Sequence, residues 1–317
     1  MRGGAMRRRR LLRYVVVLLL VAAALALSYW VGRQWEQGAA ERAAGRGDLA
    51  GRFEGRRAIE YRGATYRYRE RLTTLLVMGV DRPSGVSAGL GARNGGQADL
   101  LLLLVADPDR GRLTPIQLDR DTMATIEVLD VLGRPVGTRT AQLCLAHAFG
   151  DGGAQSCEFA ARAVGRLLLG VDVDGYLAFD LGAIAAINDA AGGVTVSIED
   201  DFTAFDRAMT RGATLTLVGR QAEAFTRWRM GVGDGTNAAR MRRQRAYLVG
   251  LTDALRRQAA EDAGAAGAFF DQVKGHLITD LSRGRLINEI DRMARLEQGE
   301  IVSPAGVHIV GDDGFME

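Results

Sequence analysis

Lysine is almost absent: of 41 basic residues only Lys274 is not arginine. A bias that general follows the base composition of the gene, so arginines carry meaning only where their spacing is specific. The three histidines, His147, His276 and His308, lack metal-ligand spacing, and no CxxC, HExxH or GxSxG occurs. Zinc and serine-hydrolase chemistry therefore have no support. Basic charge is also scarcer than the net +3 and pI near 9.1 suggest. Six arginines of the N-terminal tail produce it, and without them 35 basic residues face 38 acidic ones. A general affinity for nucleic acid has no support on that balance. Cysteines number two, Cys144 and Cys157. In an oxidising compartment so close a pair suits a disulfide, the alternative being two unpaired buried thiols.

One long apolar run is present. Residues 14–32 carry no charge, and at about 1.5 Å per residue they reach roughly 29 Å, one hydrocarbon core. Arg2, Arg7, Arg8, Arg9, Arg10 and Arg13 precede the run and mark its cytoplasmic side by the positive-inside rule. The expectation is a single-pass transmembrane helix, with the rest of the chain extracellular on the cell membrane. A cleaved signal peptide is the alternative, because Ala24-Leu25-Ala26 has the small-x-small form of a cleavage site. The run continues past it through Tyr29-Trp30-Val31, an interfacial aromatic end, which favours the anchor.

The organisation that follows is a cytoplasmic tail at 1–13, the membrane helix at 14–32, a stalk or partly helical linker at 33–71, and one folded domain at 72–317. Hydrophobic content of 47% is ample for a large core. TTLLVMGVD (73–81) and ADLLLLLVAD (98–107) are short continuous apolar runs, as strands buried on both faces require. RLTPIQLDRDT (112–122), VTVSI (194–198) and LTL (215–217) read as further strands, and HIVGDDGFME as a last strand and turn. Helical segments are expected near 155–169, 180–191, 219–226, 238–259, 265–275 and 280–298. Strands interleaved with helices imply a layered α/β domain.

Asp81 ends the first strand and Asp99 opens the second, so neighbouring strands bring both carboxylates to one sheet edge. Such a pair suits a hard cation, although aspartates at strand ends also serve as caps and turns. Arg227 and Arg229 share a side only if the chain there is extended. Arg240, Arg243 and Gln244 lie at i, i+3 and i+4 near the N-terminus of a helix, where the dipole is positive.

LLVMGVD, QADLLLLLVADP, QLDRDTM, HAFGDGG, LLLGVDVDGYLAFDL, INDAAGGVTVSI and TRWRMGVGDGTNAARMRRQR occur in the order and spacing of the LytR–CpsA–Psr family. The resemblance covers 72–256, and its most specific part is RxR followed by RxxRQ. It implies a three-layer α/β/α domain with a mostly buried central sheet. It implies a Mg²⁺-dependent phosphotransferase of cell wall biogenesis, which moves an anionic glycopolymer from a polyprenyl-pyrophosphate carrier to a peptidoglycan hydroxyl at the membrane. Asp81 and Asp99 resemble the family's Mg²⁺ ligands, and Arg120 the arginine of its PRD motif. Arg227, Arg229, Arg240 and Gln244 resemble its pyrophosphate-binding set, and Arg243 joins them by its shared helix face. Asp121 is the nearby candidate base.

Departures from the pattern bear on the substrate. Gln97 stands for the arginine of RSD, Asn237 for an aspartate before the helix, and Cys144 and Ala146 for the lysine and asparagine of a KINHA-like stretch. Arg93, in the glycine loop, is a candidate replacement for the missing charge. A lipid slot drawn from Leu101, Leu103, Phe159, Val164, Leu167 and Leu168 competes with reading these as plain core. Alternatives to transfer are hydrolysis of the lipid-linked glycan and non-catalytic binding in envelope regulation.

Overall fold

The two apolar runs form the middle of the sheet. In a computed structural model, which describes residues 58–67, 71–82, 95–130, 134–262 and 264–307, all described residues belong to the second of two compact units, Arg56–Glu317. A short hairpin of β1 (Ile59–Tyr61) and β2 (Ala64–Tyr66) precedes the main sheet and falls in the stretch read as linker. The main strands are β3 (Thr73–Val80), β4 (Ala98–Asp107) and β5 (Arg112–Leu118). Then come hairpin β6 (Met123–Leu129) and β7 (Pro135–Gln142), helices α1 (Leu145–Ala148) and α2 (Ala154–Leu167), and β8 (Gly175–Phe179). Helix α3 (Ala183–Ala190) leads to hairpin β9 (Val194–Ser197) and β10 (Thr214–Leu217), then α4 (Arg220–Arg227), α5 (Asn237–Glu261) and α6 (Ala265–Val273). β11 (Leu277–Thr279), α7 (Arg283–Ala294) and β12 (Glu297–Gln298) complete the order.

The six-stranded sheet runs β11-β8-β3-β4-β5-β12. β3 is antiparallel to β4 and parallel to β8, so the ends of β3 and β8 and the start of β4 share one edge. Register sorts the leucines by face. Leu76 pairs with Leu103 and Met78 with Leu101 on one side, Leu75 with Leu104 and Val77 with Leu102 on the other. The first set packs against Ala124, Ile126 and Ala141 of the β6–β7 hairpin and Ala160, Ala163 and Val164 of α2. The second faces Phe270, Leu286, Ile290 and Met293 from α6 and α7. Each fully buried leucine contributes about 1.5–3 kcal/mol. A further core of Val194, Val196, Phe202, Leu217, Phe225 and Tyr247 joins the β9–β10 hairpin to α4 and α5.

The domain is thus mixed α/β, with its central sheet covered on both faces. The N-terminal transmembrane helix expected before it is corrected. Among the described residues no helix is long and apolar enough to cross a membrane, and the segment 14–32 lies outside them. The single-pass localisation drawn from that helix is withdrawn with it. Arg93 and the strand and turn expected at 308–317 also lie outside the described residues.

The β6–β7 hairpin escapes a reading of hydrophobic pattern because β7 buries only Ala141. β8 buries four of five residues but is too short to stand out beside a helix-like run. The segment expected as one helix over 280–298 is instead helix α7 followed by β12.

Candidate functional site

The edge where β3 ends and β4 begins is tied by its backbone. The Asp81 N–H donates to the Gln97 carbonyl at 2.8 Å. Gly96 makes that approach possible: at φ +74° any Cβ there would lie 2.9 Å from the Asp81 carbonyl oxygen. Arg120 is set by the Cys144 N–H, which donates to its carbonyl at 2.9 Å, while the Cys144 carbonyl accepts from Ala98 at 3.2 Å. Asp81, Asp99 and Arg120 are thereby fixed by main chain. The helix arginine comes from α5, whose N-terminus is capped by Thr236 accepting from the Ala239 N–H at 3.1 Å.

These residues converge. Asp99, 24% exposed, binds Arg120 through one carboxylate oxygen and Arg240 through the other, the latter at 3.0 Å. Arg120 also donates to Asp121 at 3.1 Å and to the Gln97 side chain. Arg240 donates to the Asn237 oxygen at 2.7 Å, and the Asn237 amide donates to Asp119 at 2.7 Å. Arg227 binds Asp81 at 3.1 Å and Glu223 at 2.6 Å. Arg229 is exposed at the turn beyond α4.

Electrostatics separate the two central guanidinium groups. Burial pushes the Arg240 guanidinium below its ordinary pKa, Asp99 opposes that, and Arg120 and Arg229 add to it by repulsion. Arg240 Nε is buried with no hydrogen-bond partner among the described residues. For Arg120 burial also acts downward, but Cys144, Asp99 and Asp121 outweigh it and hold the group above its ordinary value. An anion with several oxygens answers the unmet donor and the repulsion together.

Behind this mouth lies a cavity of about 450 Å³ between the sheet and helices α3, α5, α6 and α7. Asp81, Asp99, Arg227, Arg240 and Gln244 line it at the charged end. Its walls are apolar, with Leu75, Val77, Leu102, Leu104, Leu251 and Phe269 among them. The slot is therefore on the face opposite the one expected. Leu101, Leu103 and Val164 pack in the α2-side core, with Leu167 and Leu168 against it, and Phe159 is fully buried on α2. Alternation along β4 sends Leu101 and Leu103 one way and Leu102 and Leu104 the other, and an unbroken run of leucines does not say which face stays open.

Two further assignments change. Arg243 shares the helix with Arg240 but does not reach the cluster. It pairs with Asp200 at 2.7 Å and donates to the carbonyls of Phe225, at 3.0 Å, and Trp228. Gln244 does line the cavity, where its oxygen accepts from the Gln117 amide at 3.2 Å. The disulfide is also corrected: Cys144 and Cys157 are free and buried. Their sulfurs have different partners, since Cys144 Sγ faces the Gln97 side chain at 4.0 Å and Cys157 Sγ lies 3.7 Å from His147 Nε2.

Sequence reasoning missed Asp180, which lines the cavity and accepts from His276 Nδ1 at 2.9 Å if that nitrogen carries the proton. Its position after β8, parallel to β3, is the same strand-end signal that singled out Asp81. Glu223 was legible too, as an i,i+4 partner of Arg227.

Among the described residues no group of three or more His, Cys, Asp or Glu is placed to hold a metal ion. Asp81 and Asp99 make a smaller set, two carboxylates at one mouth. That set fits Mg²⁺ in kind and number, since this ion keeps several waters and takes other oxygens from phosphates.

Solved structures share the fold. A Streptococcus agalactiae protein superposes with TM-score 0.63 at 22% identity, covering 77% of this chain and 81% of its own. Bacillus subtilis TagV gives 0.57 at 18% identity, covering 78% and 91%. TagT bound to LI-WTA gives 0.56 at 17% identity, covering 83% and 89%. No curated protein matches the chain at a significant level. The LytR_cpsA_psr family matches residues 55–305, most of the sequence, and the chain belongs to that family.

Proposed function

We propose that the protein is a phosphotransferase that moves an anionic glycopolymer from a polyprenyl-pyrophosphate carrier to a peptidoglycan hydroxyl. Family membership supports a general role in glycopolymer transfer, and the relative TagT is described bound to LI-WTA. The observation that carries the finer reading is the cavity itself. An apolar cavity with arginines and aspartates at its mouth matches an amphiphile with a hydrocarbon tail and a phosphate head.

The chemistry asked of the protein is mainly neutralisation and placement. A pyrophosphate diester carries about two negative charges that repel a nucleophile. Arg227, Arg229 and Arg240 bind its oxygens at the mouth, and Arg120, held through Asp99, adds a fourth positive group. Mg²⁺ on Asp81 and Asp99 would supply further neutralisation of phosphate charge when bound. The acceptor hydroxyl attacks the phosphorus next to the glycopolymer, the bond to the polyprenyl phosphate oxygen breaks, and the leaving phosphate departs with its charge compensated. Asp121, bonded to Arg120, is assigned the proton of the incoming hydroxyl. The apolar walls hold the tail and keep water from the head group.

The test is release of polyprenyl phosphate from a synthetic polyprenyl-pyrophosphate glycan, with and without Mg²⁺, with peptidoglycan oligomer as acceptor. The expected result is Mg²⁺-dependent release coupled to a glycan–peptidoglycan adduct, abolished by Arg120→Ala. Release without adduct points to a hydrolase, and binding without turnover overturns the catalytic reading.

A further inference from the structure

Arg243 is the most deeply buried charged group of α5, its side chain only 2% exposed. All three of its donor positions are used. Nε donates to the Phe225 carbonyl at 3.0 Å, one terminal nitrogen to Asp200 at 2.7 Å and the other to the Trp228 carbonyl. Both carbonyls belong to the end of α4, where the helix stops at Arg227 and Trp228 turns extended at ψ 135°. A cation there satisfies acceptors the helix leaves open and complements its negative pole. The break so fixed lies between Arg227 and Arg229, the two arginines that flank Trp228.

Asp200 holds the same place from the other side. The glycine turn after Arg229 presses against it: a Cβ on Gly233, at φ +58°, would stand 2.7 Å from its Oδ1. Aromatic rings complete the seat. The Arg243 guanidinium lies 5.5 Å from the Phe202 ring centre, and Trp228 meets Phe205 edge-on at 4.9 Å. Four segments meet at one ion pair: the connection that follows β9, the end of α4, the glycine turn and α5.

We propose that the Asp200–Arg243 pair is a positioning device for the phosphate-binding mouth, fixing the Trp228 break so that Arg227 and Arg229 stand pre-set for an anionic head group. This rests on the preceding reading of the cavity. Arg243 touches no ligand; it acts through the two arginines. Pre-set arginines spare a ligand the ordering of two long side chains and a turn, so the device raises affinity for the head and leaves the tail untouched.

The test uses the full chain and two probes, geranylgeranyl pyrophosphate and geranylgeraniol, which differ only in the head. Asp200→Asn is expected to weaken the pyrophosphate probe about tenfold, within the range of couplings among side chains of one network. Geranylgeraniol should bind as in the wild type, which also shows that the cavity is folded. In an Arg227→Gln/Arg229→Gln background the same substitution should have no further effect. Arg243→Lys keeps the pair with Asp200 but loses the carbonyl fork, and should weaken the pyrophosphate probe as well. Equal weakening of both probes, a full Asp200→Asn effect in the double-glutamine background, or wild-type affinity in Arg243→Lys each overturn the positioning role. A wild-type chain with no preference for pyrophosphate over the alcohol overturns the proposed function first, and the positioning role with it.

Discussion

Asp99 sits between two guanidinium groups, and its removal should reveal how unfavourable those groups are together. In Asp99→Asn the shape is kept and the charge is lost. Arg240 is then left 5% exposed with only the Asn237 oxygen, and Arg120, 16% exposed, with Asp121 and Gln97. Stranding a buried charge costs about 3–5 kcal/mol. Arg120 keeps its Asp121 partner and part of its hydration, so the lower end applies, about 3 kcal/mol. For a domain of this size each kcal/mol moves Tm by roughly 2–4 °C, giving a fall of about 6–12 °C. The opposite substitution should behave differently. Arg240→Met removes a cation held below its ordinary pKa by burial and by Arg120 and Arg229, and leaves Asp99 with Arg120. Its stability should change by no more than about 1 kcal/mol, because Asp99 keeps its pair with Arg120 and no charge is stranded. Both chains would be melted in chelator, without and with millimolar inorganic pyrophosphate. The anion should raise the Tm of Asp99→Asn more than that of the wild type, and that of Arg240→Met less. A metal-free Asp99→Asn as stable as the wild type, or unresponsive to pyrophosphate, would refute the picture of Arg240 as a cation awaiting an anion.

Three further expectations follow from the same geometry. Ala266→Phe, on the cavity wall, should sharply weaken a twenty-carbon prenyl pyrophosphate in calorimetry while inorganic pyrophosphate still binds and Tm stays within about 2 °C, because open volume receives the ring. His147 is buried, and that burial, helped by Arg82 against backbone bonds to Gly96 and Gly95, holds its pKa below the ordinary 6.5. The unfolded chain therefore binds the proton first, and the contribution is complete above about pH 6.5 and declines as pH falls below it. Urea melts across pH 7 to 5 should show a loss that His147→Phe reduces, and an equal loss in that variant would count against the assignment. Burial pushes the thiols of Cys144 and Cys157 up to about 11 and about 12. Neither should react with a disulfide reagent in the native chain at pH 7.5, while guanidinium without reductant should release both.

Much of the sheet was readable because β3 and β4 are buried on both faces and so are written as uninterrupted apolar runs. Their neighbourhood made the approach of Asp81 and Asp99 to one edge a direct consequence. The face of the cavity was not readable, because Leu101 and Leu102 are the same letter on opposite sides. Nor was the division of labour along α5. Arg240 and Arg243 are three residues apart and chemically identical, yet one meets Asp99 across 141 positions and the other Asp200 across 43. Helical spacing places both on one face, and only the packing of α4 and the β9 hairpin decides which guanidinium is spent internally. The cysteine spacing suited a bridge, but each thiol lies beside a different partner.

The cavity wall beyond β5 is built late. The backbone of Val302 pairs with β5, donating to the Pro115 carbonyl and accepting from the Gln117 N–H, and Ile301 beside it lines the cavity. On the ribosome, β5 emerges more than 180 residues before its partner at Val302. Throughout that interval it is an unpaired edge with an apolar face uncovered, the condition in which strands join wrong neighbours. A nascent chain thus holds an open trough rather than a pocket, and the binding volume comes into being only when this last strap docks.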